Sequence, residues 1–311
     1  MVHVPRPVVR ALAAPAYQLG LNERRSVRAQ RLITELSCRL NRSPSGTQVE
    51  HMTLGGRPAE GTGLGAGRNA VLYLHGGGYV VGSPRMYRPL AAHLSRAASA
   101  VVYNLDYRLA PEHRFPAALE DTVAAFGDLV RSHGYLPEQI ALAGDSAGGG
   151  LAVAAARLLT DDGIRPGALA LLSPWTDPAD HDLPERDFVV NRGWGRRCSE
   201  LYRGPAEPSD PGFAPLHGRL DGLPPMLVHY HAEEMLRAQI GRFIAAARTA
   251  GVDVREFESA RVWHSGHVLA GLLREATEET RAVGEFLAQR LGAPVTRPGA
   301  AGRPRRSGAA R

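Results

Sequence analysis

Short apolar runs alternate with amphipathic stretches along this chain, and the alternation sets its fold class. Asn69–Leu74, Ala100–Leu105, Ile140–Ala143 and Pro225–Tyr230 are brief and mainly apolar, the character of buried strands. Thr47–Leu54 and Val252–Phe257 also read as strands. Between them lie helical patterns. Pro89–Ala98 is one, and Pro116–Ser132 is a longer one with Leu119, Val123, Phe126 and Val130 on a single face. Leu151–Leu159 is rich in small residues, and Leu236, Ile240, Phe243, Ile244 and Ala247 mark a helix stopped by Gly251. A last helix is predicted from about Leu269 to Leu291. Strand and helix in regular alternation predict an α/β fold, a mostly parallel central sheet flanked by helices on both faces.

Three regions depart from that rhythm. Residues 1–45 precede the first strand, and Leu21–Leu40 reads as an amphipathic helix with Val27, Leu32, Ile33, Leu36 and Leu40 at helical spacing. Gly55–Arg68 is glycine-rich and reads as a surface hairpin or loop. Residues 175–224 are rich in Pro, Asp, Arg and Gly and interrupt a domain that otherwise spans 46–291. From 292 to 311 the chain is a basic tail with too few apolar residues to offset the entropy of ordering, and it is expected to be disordered.

Composition changes this picture little. At 311 residues and 44% hydrophobic, the chain can bury one large core. The formal charge of +6 is carried by arginine alone, and five arginines fall at or after Arg297. The positive charge therefore belongs largely to the tail, and no nucleic-acid partner is expected. Cys38 and Cys198 are too far apart for a metal or redox pair and read as free thiols of a reducing compartment. Pro5, Arg6, Pro7 and Arg10 interrupt any leader-like apolar run, and no stretch reaches transmembrane length. A cytoplasmic protein is expected, and a homodimer through a sheet edge is compatible with the sequence.

The candidate chemistry sits at two strand ends. Ile140–Ala143 runs into Gly144-Asp145-Ser146-Ala147-Gly148, followed by a helical stretch. Strand, tight turn and helix are the setting of a nucleophile elbow, in which small residues let Ser146 stand exposed above the sheet. The earlier strand Asn69–Leu74 runs into His75-Gly76-Gly77-Gly78-Tyr79. A triple-glycine loop in that position turns backbone N–H groups toward a developing oxyanion, and Ala147 supplies another.

These motifs resemble those of the hormone-sensitive-lipase family of α/β-hydrolase carboxylesterases. The similarity covers His75–Gly78, Asp106–His113 with Phe115-Pro116-Ala117, Gly144–Gly149, and Ser173-Pro174-Trp175 with Asp177. It runs from about Val71 to Leu291. The resemblance implies an α/β-hydrolase fold with a small cap built from the N-terminal segment and the Trp175–Pro224 insertion. It implies a triad in the order Ser, acid, His. The family's acid pattern falls on Glu234-Met235-Leu236-Arg237-Ala238, which makes Glu234 the acid in place of the usual aspartate, with Glu233 the fallback. His231-Ala232 also lacks the glycine usual there. In Trp263-His264-Ser265-Gly266-His267, His264 is the expected base and His267 a structural histidine. Arg108, Glu112 and His113 read as a buried ion-pair network.

The activity so implied is hydrolysis of short- to medium-chain carboxylic esters through an acyl-enzyme. Ser146, His264 and Glu234 would be catalytic, with Gly77, Gly78 and Ala147 at the oxyanion and no cofactor or metal required. Two alternatives were weighed against it. His229-x-His231 and His264-x-x-His267, with Glu233 and Glu234 nearby, could suggest a metal hydrolase, but no H-E-x-x-H run is present. A non-catalytic or weakly catalytic small-ligand-binding protein on the same fold is the other.

Overall fold

A computed structural model describes residues 3–37, 43–63 and 68–292. The central strands are apolar on both faces, and this dictates two cores. Leu72, Leu74, Leu142, Leu169, Leu171 and Val228 point to one side, Val71, Tyr73, Ala141, Ala143 and Leu227 to the other. Strands buried on both faces belong in a sheet covered by helices on each side.

The sheet has eight strands in the order β1-β2-β4-β3-β5-β6-β7-β8. These are β1 (Val49–Leu54), β2 (Arg57–Thr62), β3 (Ala70–Leu74), β4 (Val101–Leu105), β5 (Ile140–Asp145), β6 (Ala168–Leu172), β7 (Met226–His231) and β8 (Val254–Ser259). Only β2 runs antiparallel to its neighbours. The predicted α/β-hydrolase fold is the fold observed.

One face carries α4 (Ala117–Arg131), α5 (Ala147–Asp161) and α7 (Arg237–Thr249). The other carries α3 (Pro84–Ala98) and α8 (Arg274–Arg290). The parallel register pairs Leu74 with Gly144 and Leu172 with His229, so β3, β5, β6 and β7 end level with one another. Loops at those carboxyl ends converge, which is where open α/β sheets place their ligands.

Several boundaries differ from the sequence reading. The segment expected as a surface hairpin or loop is a hairpin with β1, and its returning strand β2 also pairs with β4, because strands on both sides supply hydrogen-bond partners to a run, Arg-Pro-Ala-Glu-Gly-Thr, that has little strand propensity of its own. Helix α3 starts at Pro84 and accommodates Pro89 in its first turns. At the chain start, α1 (Arg6–Gly20) was not expected. Proline suits the first helical turn, where its missing N–H has no helical acceptor.

The helix predicted over 21–40 is α2 (Val27–Ser37), and it is turned away from the expected orientation. Leu32 and Leu36 are 61% and 46% exposed, while Gln30 and Thr34 are buried. Gln30 Oε1 accepts the indole N–H of Trp194 at 2.7 Å, and the Thr34 hydroxyl donates to Gln30 O at 2.9 Å. Satisfied polar groups thus occupy the inner face. The 175–224 interruption contains α6 (Arg192–Arg203).

Arg108, Glu112 and His113 do not form the buried network expected of them. Arg108 clasps Asp121 of α4, Glu112 pairs with Arg31 of α2 at 2.8 Å, and His113 is exposed. Arg31 also donates to the carbonyls of Val80 and Ala110, so Glu112 ties the N-terminal segment down near the oxyanion loop. Cys38, Leu40 and the tail after Gly292 lie outside the described residues. Among the described residues no helix is long and apolar enough to cross a membrane.

Candidate active site

Strand β5 delivers Ser146 through a turn that only small residues permit. Ser146 sits at φ 51°, ψ −118°, a conformation costly for a residue with a side chain. The turn holds because Ser146 N–H donates to Leu172 O and Ser146 O accepts from Trp175 N–H, both at 2.8 Å. A Cβ on Gly148 would lie 1.9 Å from Leu74 O, so the start of α5 packs directly on the end of β3. That approach brings the elbow against the glycine loop.

The loop itself is fastened at its base. Gly76 N–H donates to Asp145 Oδ1 at 2.8 Å and to the Tyr87 hydroxyl at 3.1 Å. The Tyr73 and Tyr87 hydroxyls also reach Asp145, at 3.0 and 3.1 Å. Burial pushes the Asp145 carboxyl up from its ordinary value, and these donors pull against that shift. His75 stacks on Tyr107 with ring centroids 4.3 Å apart, and its Nδ1 lies 2.8 Å from Gly76 O. Burial holds the His75 imidazole down to about 4, hence neutral. Gly77 adopts φ 113°, and a Cβ there would sit 2.2 Å from Val81 O. With Gly76 occupied, the amides of Gly77, Gly78 and Ala147 have no protein acceptor among the described residues. Three such N–H groups beside a serine hydroxyl can receive an oxyanion.

His264 arrives from the loop after β8. Its Nε2 lies 3.0 Å from Ser146 Oγ. Its Nδ1 faces Glu234 Oε2 at 3.7 Å, an ion-pair distance longer than a hydrogen bond. Such contacts are often long in unliganded enzymes and tighten with substrate. Glu234 is buried at 5% exposure, with Oε2 accepting from the Ser173 hydroxyl at 2.5 Å and from His231 N–H at 3.1 Å. Glu233, the fallback acid, is exposed. Burial would lower the His264 pKa, but Glu234, with Asp187 and Asp145 farther off, outweighs it and leaves the imidazole above its ordinary value. Replacement of the usual glycine by His231-Ala232 leaves the loop intact, because Ala232 N–H donates to Ser259 O at 2.8 Å.

Two supports were not evident from the sequence. Ser173, noted only as part of a motif, takes φ 49° and orients Glu234. Asp187 lies in the 175–224 stretch, where motif signal fades. Its Oδ1 accepts from Val189 and Val190 N–H at 2.7 and 2.8 Å, and its Oδ2 from Met235 N–H at 2.9 Å. It therefore fastens that stretch to the residue after Glu234.

Above Ser146 opens a cavity of about 1000 Å³. Val9, Leu12, Ala16 and Tyr17 of α1 line it on one side, Val190 and Trp194 on another, with Ser146 and His264 also on its wall. Residues of the N-terminal segment and of the 175–224 stretch are joined there. Trp194 hydrogen-bonds Gln30, Asn191 Nδ2 donates to Leu21 O at 3.3 Å, and Phe188 packs edge-on against Tyr17 with Arg10 over its ring.

Known proteins resemble this chain in sequence and in fold. A sequence model of the alpha/beta hydrolase fold family matches residues 71–268. An acetyl-hydrolase of Streptomyces hygroscopicus is 40% identical over 223 residues, covering 70% of this chain and 74% of the relative. The esterase LipU of Mycobacterium tuberculosis is 35% identical, covering 76% of this chain and 81% of its own. The crystal structure of an esterase from the bacterial hormone-sensitive lipase family superposes with a TM-score of 0.86 at 36% identity, over 93% of this chain and all of the other. That of EstE5, soaked with p-nitrophenyl butyrate, gives 0.80 at 30% identity, over 93% and 100%.

Proposed function

Because the chain belongs to the bacterial hormone-sensitive-lipase family of α/β-hydrolase-fold carboxylic ester hydrolases, we propose that it cleaves short- to medium-chain esters through Ser146, His264 and Glu234. The observation that carries this reading is the 3.0 Å contact of Ser146 Oγ with His264 Nε2 at the wall of an apolar cavity. His264 takes the serine proton as Oγ attacks the ester carbonyl. The carbonyl oxygen, now anionic, receives hydrogen bonds from Gly77, Gly78 and Ala147 N–H. His264 returns the proton to the departing alcohol, and the acyl group remains on Ser146. Water then attacks by the same route and releases the acid. Glu234 holds the imidazole tautomer and stabilises its protonated form.

In this proposal α1, α2 and the 175–224 insertion form the cap, and the acyl chain lies against Val9, Leu12 and Ala16. The lining is apolar, as a hydrocarbon chain requires, and the volume leaves room beyond an acetyl group. A ligand-binding protein without catalysis would call for a missing triad member, whereas each of the three positions here is filled. Ser146→Ala tests the reading. With p-nitrophenyl butyrate, kcat is expected to fall by roughly 10⁴–10⁶ with an unchanged circular dichroism spectrum. A loss of less than about tenfold would remove Ser146 from the chemistry.

A further inference from the structure

Behind the catalytic loop lies a second group of chemistry-bearing side chains that ester hydrolysis does not use. His229 comes from β7, His267 from the 3₁₀ turn Gly266–Leu269 that follows His264, and Glu279 from α8. All three are 1–2% exposed. One donor atom from each lies within 4.8 Å of the other two. Neither ring nitrogen of His229 or His267 has a hydrogen-bond partner among the described residues, and neither has Glu279 Oε2. Five buried polar atoms left unmatched in so small a volume would be costly. A shared occupant bonded to one nitrogen of each ring and to Glu279 Oε2 would satisfy three of them.

From this cluster we propose that His229, His267 and Glu279 bind a divalent transition-metal ion of the zinc class, a structural ion separate from the catalytic serine. His229 Nε2 and Glu279 Oε2 are 3.4 Å apart. Two ligands of one tetrahedral zinc, each at about 2.0–2.1 Å, are separated by about 3.3–3.4 Å. The His229 and His267 rings meet edge to face, at 83° with centroids 4.4 Å apart. Two imidazoles and one carboxylate suit zinc and its neighbours better than calcium or magnesium, which prefer oxygen alone. Glu279 Oε1 accepts from the Ser259 hydroxyl at 2.6 Å, the outer hydrogen bond that orients a ligating carboxylate.

Three protein donors leave one tetrahedral position for a water.

The ion would act on catalysis only through position. His267 is three residues beyond His264, and the turn between them is closed by Gly266 N–H to Trp263 O at 2.7 Å. Fixing His267 to β7 and α8 would hold that turn, and so the imidazole, against the sheet.

The test uses the untagged full-length chain, purified without immobilised metal. Elemental analysis should give close to one equivalent of transition metal. Dialysis against a chelator should remove it and lower Tm by several degrees, and one equivalent of zinc should restore it. Cobalt loading should give the visible absorption of a low-coordinate ion. Glu279→Gln and His267→Gln should each weaken zinc binding at least tenfold, whereas His51→Gln, at an exposed histidine, should not. If those variants fail to fold, stripping and reloading of the wild type still decides. A metal-free protein whose melting ignores both chelator and zinc would overturn the proposal, its cluster being satisfied by water or direct hydrogen bonds. Binding unchanged in Glu279→Gln would overturn it too, by placing the ion elsewhere. Neither result bears on Ser146, because esterase activity is read separately.

Discussion

Ser146 stands at a positive φ because β5, the glycine loop and Trp175 hold it there, and in the proposed mechanism the reactivity of the hydroxyl depends on one neighbour, His264. That imidazole must be neutral to accept a proton. Its pKa is raised from the ordinary value, chiefly because Glu234 overcomes the effect of burial. Activity is therefore expected to decline as pH falls through a value above about 6.5, the ordinary histidine value. Glu234→Gln removes the main raising influence and leaves burial opposed only by the more distant Asp187 and Asp145, so the acid limb should move to lower pH while kcat drops by about 10⁴, as in a comparable triad. Glu233→Gln should change neither, since that carboxylate faces solvent. A pH–rate profile of both variants checks this, and a crippled Glu233→Gln would shift the assignment by one residue. At this scale the sequence was legible wherever a backbone constraint demands a residue type, as at Gly77 and Gly148. It was silent on Ser173 and Asp187, whose roles depend on which distant backbone groups the fold brings to them.

The elements that enclose the site divide in the same way. Strands β3, β4, β5 and β7 were readable because burial on both faces leaves a continuous apolar signature. Helix α1 was not read at all, and α2 was misread because its inner face is set by a partner: Gln30 is inside to receive Trp194, and Leu32 is outside. Their packing makes a further expectation specific. Ala16 lines the cavity from α1, so Ala16→Trp should fill part of the acyl space. If four methylenes lose burial at about 0.8 kcal/mol each, kcat/KM for an octanoyl ester should fall on the order of a hundredfold relative to butyryl. Rates for p-nitrophenyl acetate should hold. An unchanged chain-length profile in that variant would move the acyl chain away from α1.

For the molecule as a whole, burial of neutral histidines couples folding to pH. His75 and His93 are each held down to about 4, mainly by desolvation. Their folded values lie below the unfolded value of about 6.5, so the unfolded chain binds more protons in between. Their contribution to stability is complete above about 6.5 and is lost as pH falls toward 4, by up to about 1.4 kcal/mol per pH unit for each. His264, shifted upward, works in the opposite direction but is outnumbered. Calorimetry should show Tm lower at pH 5.5 than at pH 7 by a few degrees, and a flat or rising Tm would contradict this. The proposed function rests on Ser146 being a nucleophile that this scaffold makes reactive. The most direct test is stoichiometric reaction with a p-nitrophenyl phosphonate ester followed by peptide mass mapping. One equivalent of p-nitrophenolate should be released, with a single adduct on the peptide containing Ser146 and none in Ser146→Ala. An adduct at another residue, or loss of esterase activity without any adduct, would contradict it.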